Sequence, residues 1–148
     1  MKYKDSDKPL VNLFKHIGKL LDDRFRSALG ERELHFGQAR ILVSLMRNGT
    51  LTQRTIGQGL HIKPATVTNM VKRMEASGLI ERRRDVNDDR TINVTLTSKG
   101  TEAAEFIVTV LEQIEDEIRA ELSRKEIDIL RNPLERIRNV LGGSDPTI

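Results

Sequence analysis

The sequence contains no cysteine, which excludes disulfides, thiolate zinc sites and any cysteine-based redox sensor. Its three histidines, at positions 16, 35 and 61, are scattered without the spacing of a zinc site, so no metal is expected. No apolar run reaches the roughly 18 residues that span a bilayer, and the opening MKYKDSDK lacks the apolar stretch of a signal peptide. Membrane insertion and secretion are therefore not expected, and a cytoplasmic location is. A Gly-x-Ser-x-Gly elbow, a phosphate-binding loop and a His-Glu-x-x-His pair are all missing. Neither an enzyme nor a cofactor is expected from such a chain.

What remains is 148 residues, 37% hydrophobic and 32% charged, the composition of a helix-rich soluble chain forming one domain or a small domain with extensions. The charge is unevenly placed. Residues 1–50 carry 10 Lys and Arg against 6 Asp and Glu, residues 51–100 carry 9 against 5, and residues 101–148 carry 6 against 11. A polyanion would be steered toward the first two thirds of the chain.

The most informative stretch is KPATVTNMVKRMEASG, residues 63–78. At about 100° per residue, Val67, Met70, Val71 and Met74 form a narrow apolar stripe that can pack on a core. Ala65, Thr66, Thr68, Asn69, Lys72 and Arg73 fill the other side, with small, hydrogen-bonding and cationic side chains and no carboxylate. Such a surface suits the major groove of DNA, where base edges present donors and acceptors between phosphate walls. Upstream, LTQRTIGQGL (Leu51 to Leu60) reads as a short helix with Thr52 as N-cap, joined to the next by His61 and Ile62. Two short helices so connected make a helix-turn-helix.

Downstream, Ser77-Gly78 should end the second helix, and two strand-like runs follow, Leu79 to Arg84 and Ile92 to Thr97. In the second, Ile92, Val94 and Leu96 alternate with polar residues, the pattern of a half-buried strand. The polar turn DVNDDRT lies between them. Alternation places Arg83 opposite Arg82 and Arg84, and Arg82 is expected to form a structural ion pair.

The flanks read as helices. Apolar residues recur every three or four positions from Leu10 to Leu29, with Ser6 or Asp7 as cap and Pro9 in the first turn. Phe36 to Arg47 form a second helix, ended by Asn48-Gly49. A long helix is expected from Thr97 or Ser98 to about Leu122. Ser123-Arg124-Lys125-Glu126 is a capping box that starts a last helix, which Asn132-Pro133 should kink or interrupt. Residues 1–8 and the stretch beyond Gly143 read as a polar arm and a loose tail. The expected fold is mainly α with a small β-hairpin wing: a winged helix-turn-helix over 35–100, flanked by an arm and helix over 1–34 and by helices over 101–148. A winged domain of this size cannot cover all the flanking apolar stripes, so they are expected to pair with a second copy.

Four segments carry a family resemblance: Leu51-Thr52-Gln53, Ala65-Thr66-Val67-Thr68-Asn69, Gly78-Leu79-Ile80-Glu81-Arg82 and the wing DVNDDRTINVTLTSKG, Asp85 to Gly100. With them, and with its flanking helices, the chain resembles the MarR (multiple antibiotic resistance regulator) family of bacterial and archaeal transcription factors over roughly Val11 to Leu141. The resemblance implies a homodimer on double-stranded DNA, a repressor of an inverted-repeat operator, and release by a small aromatic or anionic effector. Two positions depart from the family pattern. Asp89 replaces one of the paired wing arginines, and His61 stands where the turn commonly has Gly.

On this reading the DNA-binding residues are Thr52, Gln53, Arg54, Lys63, Ala65, Thr66, Thr68, Asn69, Lys72, Arg73, Arg84, Asp88 and Arg90. Asn69 and Arg73 can pair bidentately with adenine and guanine, while Thr66 and Thr68 can serve bases or phosphates. Thr52, Gln53 and Arg54 open a helix toward phosphate. Arg90 resembles the wing arginine that enters the minor groove, with Asp88 orienting it through an ion pair. His16, His35 and Arg40 are the candidate effector-pocket residues. The alternative is a winged helix serving as a protein-interaction or nonspecific architectural module.

Overall fold

The computed structural model describes residues 9–143, so the arm over 1–8, the cap at Ser6 or Asp7 and the tail beyond Gly143 lie outside the described residues. The chain separates into two compact units, Met1–Phe36 and Gly37–Ile148.

In the first unit, α1 (Leu10–Gly30) follows the predicted apolar spacing. Pro9 is its N-cap rather than a first-turn residue, and the cap makes no side-chain hydrogen bond. Proline has a fixed φ and no N–H, and both suit a position just outside the first turn. Along α1, Leu10, Leu13, Ile17 and Leu20 remain exposed, while Phe25 meets Phe36 edge to face with ring centroids 6.4 Å apart.

The second unit is built around α2 (Phe36–Asn48). Of the apolar positions spaced along one face, Ala39, Leu42 and Val43 are buried and Met46 is half-buried; Ile41 and Leu45 are buried as well, which makes α2 a core helix covered on most sides. Asn48 ends it by donating from Nδ2 to the Ser44 carbonyl at 2.9 Å, and Gly49 follows in the left-handed region at φ 74°.

The helix expected from Leu51 is shorter than that. Leu51–Thr52 form a strand, β1, and α3 spans Gln53–Leu60. Two residues carry no readable period, so pairing with a distant strand overrides the local pattern. Thr52 is nevertheless the predicted cap, its hydroxyl accepting the Thr55 amide at 3.0 Å. After α4 (Pro64–Ala76) come β2 (Ile80–Arg84) and β3 (Ile92–Leu96). The hairpin is therefore widened to a three-stranded antiparallel sheet of order β1-β3-β2, with Val94 of the central strand opposite both Leu51 and Arg82. Val94 and Ile80 face the core.

α5 (Ser98–Ala120) is capped by Thr97 and buries Ala103, Ala104, Ile107 and Val110. α6 (Arg124–Val140) opens with the predicted capping box, in which Ser123 and Glu126 exchange side-chain and backbone hydrogen bonds. Pro133 does not interrupt it: the helix runs on through Val140. Proline removes the donor for the Ile129 carbonyl, but Ile129 is exposed and that carbonyl can be hydrated. α6 buries none of its residues, and Ile129, Leu130 and Leu134 stand exposed along it.

Candidate nucleic-acid interface

The interface is assembled from α3, α4 and the turn between β2 and β3. α3 closes at His61, which adopts φ 54° and ψ 42°; histidine enters the left-handed region more readily than most side chains. Ile62 then donates its amide to the Gly57 carbonyl at 3.1 Å, turning the chain into Pro64, the first residue of α4. The helices cross closely at Gly57, where a Cβ would lie 2.9 Å from Val67 Cγ2. On the inner side of α4, Val67, Val71 and Met74 are buried.

That anchoring leaves Ala65, Thr66, Asn69, Lys72 and Arg73 exposed on the outer side, together with Lys63. Thr68 is half-buried and its hydroxyl is engaged, donating to the Pro64 carbonyl at 3.0 Å and accepting from Gln53 Nε2 at 3.4 Å. The one carboxylate of α4, Glu75, is turned to the sheet. Arg82 Nη2 and Nε donate to its Oε2 at 2.6 and 2.9 Å, the ion pair expected of Arg82. These bonds hold the Glu75 carboxyl below the usual glutamate range.

Beside α4 lies an open groove of about 1040 Å³. It brings together Thr52, Gln53, Arg54, Thr68, Asp88 and Arg90 from the predicted set. Lys63, Ala65, Thr66, Asn69, Lys72 and Arg73 do not line it, and neither does Arg84, which is exposed on β2. Gln58 and Thr91 line the groove as well and were missed. Gln58 was detectable, since it stands four residues beyond Arg54 on the same helix face.

The wing turn is held by two aspartates. Asp85 accepts from the Asn87 amide and from Asn93 Nδ2, each at 2.9 Å. The Asn87 amide, then Asn93, keeps the Asp85 carboxyl below its ordinary range. Asp88 accepts from the Arg90 amide at 3.0 Å and the Thr91 hydroxyl at 2.8 Å. The expected Asp88–Arg90 ion pair is thus corrected: the carboxylate takes the backbone of Arg90, as an aspartate does in a tight turn. Arg90 itself lines the groove.

Of the candidate effector residues, only His35 lines a cavity among the described residues. His35 borders a cavity of about 460 Å³ with Asp22, Arg26, Leu29, Leu34 and Phe36. His16 is exposed on α1 and does not line that cavity, and Arg40 Nη2 reaches the Gly59 carbonyl at 3.5 Å. Among the described residues, no group of three His, Asp or Glu is placed to hold a metal ion, and no helix is long and apolar enough to cross a membrane.

A helix-turn-helix, a three-stranded wing and an outward basic face define a winged-helix transcriptional regulator. Residues 35–92 match the MarR family. Over 125 residues the chain is 30% identical to the uncharacterized HTH-type transcriptional regulator YwhA of Bacillus subtilis, covering 82% of this chain and 90% of that protein. The chain belongs to the MarR family. It is also 38% identical over 76 residues to the HTH-type transcriptional regulator TtmR of Methylorubrum extorquens, a match that spans 51% of this chain but only 39% of that protein. Staphylococcus aureus MepR, in a crystal structure of its DNA complex, superimposes with a TM-score of 0.78 at 25% identity, covering 90% of this chain and 99% of that one.

Proposed function

We propose that the chain acts in the cytoplasm as a homodimeric repressor that binds an inverted-repeat operator and releases it on binding a small aromatic or anionic effector. The observation that carries this reading is the outer side of α4. Its exposed residues include Asn69, Lys72 and Arg73 and no carboxylate, because Glu75 is committed to Arg82. In this reading Lys63, Ala65, Thr66, Asn69, Lys72 and Arg73 face the major groove. Thr52, Gln53, Arg54 and Thr68 meet phosphate, and Arg90, in the turn shaped by Asp88, reaches the minor groove with Arg84 behind it. That MepR, similar in fold, is solved as a complex with DNA supports DNA as the partner.

Residues 35–100 serve as the DNA-binding part, and the helices within 1–34 and 101–148 join two copies. The apolar side chains left exposed on α1 and α6 support that assembly, and a two-fold pair would address half-sites about 34 Å apart. For the effector, the cavity beside His35 is the favoured place, with His16 and Arg40 as further candidates.

Selection of duplexes from a random pool tests the reading. A palindrome with half-site centres about 10 base pairs apart is expected, and Asn69→Ala should relax preference at one position of each half. Retention of DNA with no enriched sequence would replace the regulator by a nonspecific architectural protein.

A further inference from the structure

The two ends of α4 are held differently. At the start, the Lys63 cap makes no side-chain hydrogen bond, and the polar link to α3 is the 3.4 Å contact of Gln53 with Thr68. At the other end, the amides of Gly78 and Leu79 return to the carbonyls of Glu75 and Met74, but the carbonyls of Ser77 and Gly78 are taken by the beginning of α5. The Thr97 hydroxyl donates to the Gly78 carbonyl at 2.6 Å, and Lys99 Nζ donates to the Ser77 carbonyl at 2.8 Å. The Thr97 amide adds a bond to the Leu79 carbonyl at 3.2 Å. A helix leaves its last carbonyls unpaired and its C-terminal end partly negative, so the Lys99 ammonium on the cap residue Ser77 completes α4 from outside, while the Thr97 hydroxyl holds Gly78, the residue just beyond the cap.

Gly100 makes the approach possible. A Cβ at that position would lie 1.9 Å from the Leu79 carbonyl oxygen and 2.9 Å from its carbon, so any side chain would push α5 away. Thr97 also caps its own helix by accepting the Gly100 amide at 3.0 Å. One residue therefore both starts α5 and holds the turn that leaves α4.

We propose that Thr97 and Lys99 are positioning residues for DNA recognition: the start of α5 grips the carbonyl end of α4, so that the tilt of Asn69, Lys72 and Arg73 follows α5. This inference rests on the DNA-binding reading above. It assigns a role to side chains that need not touch DNA, and it makes α5 the element through which a change elsewhere in the second unit reaches α4.

The probe is the duplex that the wild-type chain selects from a random pool, with a scrambled duplex of equal length beside it. Lys99→Met and Thr97→Val should each weaken the selected duplex roughly five- to tenfold, about the effect of one lost hydrogen bond, while the scrambled duplex changes little. The salt dependence should keep its slope, because no phosphate contact is removed, and Lys99→Arg should restore affinity. Melting of each variant without DNA, used to correct for the folded fraction, separates this from simple destabilisation. A slope lower by about one unit for Lys99→Met would make Lys99 a phosphate contact instead, and unchanged affinity in both variants would overturn the grip. A wild-type chain that binds no duplex would overturn the DNA reading and this inference together, whereas wild-type binding matched by both variants would overturn the inference alone.

Discussion

Arg82 and Glu75 are joined through both side chain and backbone. The guanidinium reaches one carboxylate oxygen at 2.6 and 2.9 Å, and the Arg82 amide donates to the other at 3.3 Å. The pair ties β2 to α4 and withdraws the helix's one acid from its outer side. With side-chain exposures of 24% for Arg82 and 38% for Glu75, it is partly screened. Glu75→Gln should therefore cost about 1 kcal/mol in urea unfolding at neutral pH. The Glu75 pKa is lowered, chiefly by the Arg82 hydrogen bond, so its stabilising effect is present above the ordinary glutamate value and is lost as pH falls through the folded-state value. Wild type and Glu75→Gln should converge in acid. A constant difference across that range would mean that the ionised carboxylate is not what stabilises the contact.

Much of this arrangement was legible in the sequence for a definite reason. The burial of Val67, Val71 and Met74 follows from helical spacing, and the inward aim of Arg82 follows from strand alternation, since both periods are properties of the residue itself. Elements depending on remote partners were not legible. β1 exists because Leu51 and Thr52 pair with Val94 and Asn93, and nothing in a two-residue window announces that. Asp88 was assigned to the Arg90 guanidinium because opposite charges adjoin, yet the turn places the Arg90 amide within reach first. Pro133 was read by local preference as a kink or an interruption, and the helix that continues through it removes the interruption.

The wing gives a contrast between charge and shape. Arg90→Ala removes a cation bordering the groove, so operator affinity should drop and the slope of log affinity against log salt should decrease by about one unit. Asp88→Ala leaves that cation in place but frees the Arg90 amide and the Thr91 hydroxyl. It should weaken binding through a loosened turn while the slope stays at the wild-type value. Filter binding at several salt concentrations distinguishes them, and equal slopes for Arg90→Ala and wild type would remove the wing arginine from the DNA contact.

Leu130 and Leu134 lie one turn apart on α6 and border a groove with Ile118, Leu122 and Ile127, flanked by the charged side chains of α5 and α6. If a second copy covers this groove, each leucine buried contributes about 1.5–3 kcal/mol, and two-fold symmetry applies the contribution twice. Leu134→Glu should accordingly raise the dimer dissociation constant by at least about a hundredfold, seen as monomer in sedimentation at micromolar concentration. A variant that still sediments with wild type would place the dimer contact elsewhere, with α1 the next region to examine.

His61 offers a test of whether backbone shape or imidazole chemistry matters in the helix-turn-helix. At φ 54° and ψ 42° it occupies a conformation that costs a side-chain-bearing residue about 1–2 kcal/mol. His61→Gly removes that strain but enlarges the freedom of the unfolded chain, an opposing effect of about 0.4–1 kcal/mol, so a small net stabilisation is expected. His61→Val should be destabilised by more than the strain in wild type, because a branched side chain is least tolerant of this region. His61 also borders the groove, so DNA affinity separates the two roles. If the residue serves only to turn the chain, His61→Gly binds the operator as wild type does while His61→Val loses stability and binding together. Loss of binding in the stabilised glycine variant would instead assign the imidazole to the interface.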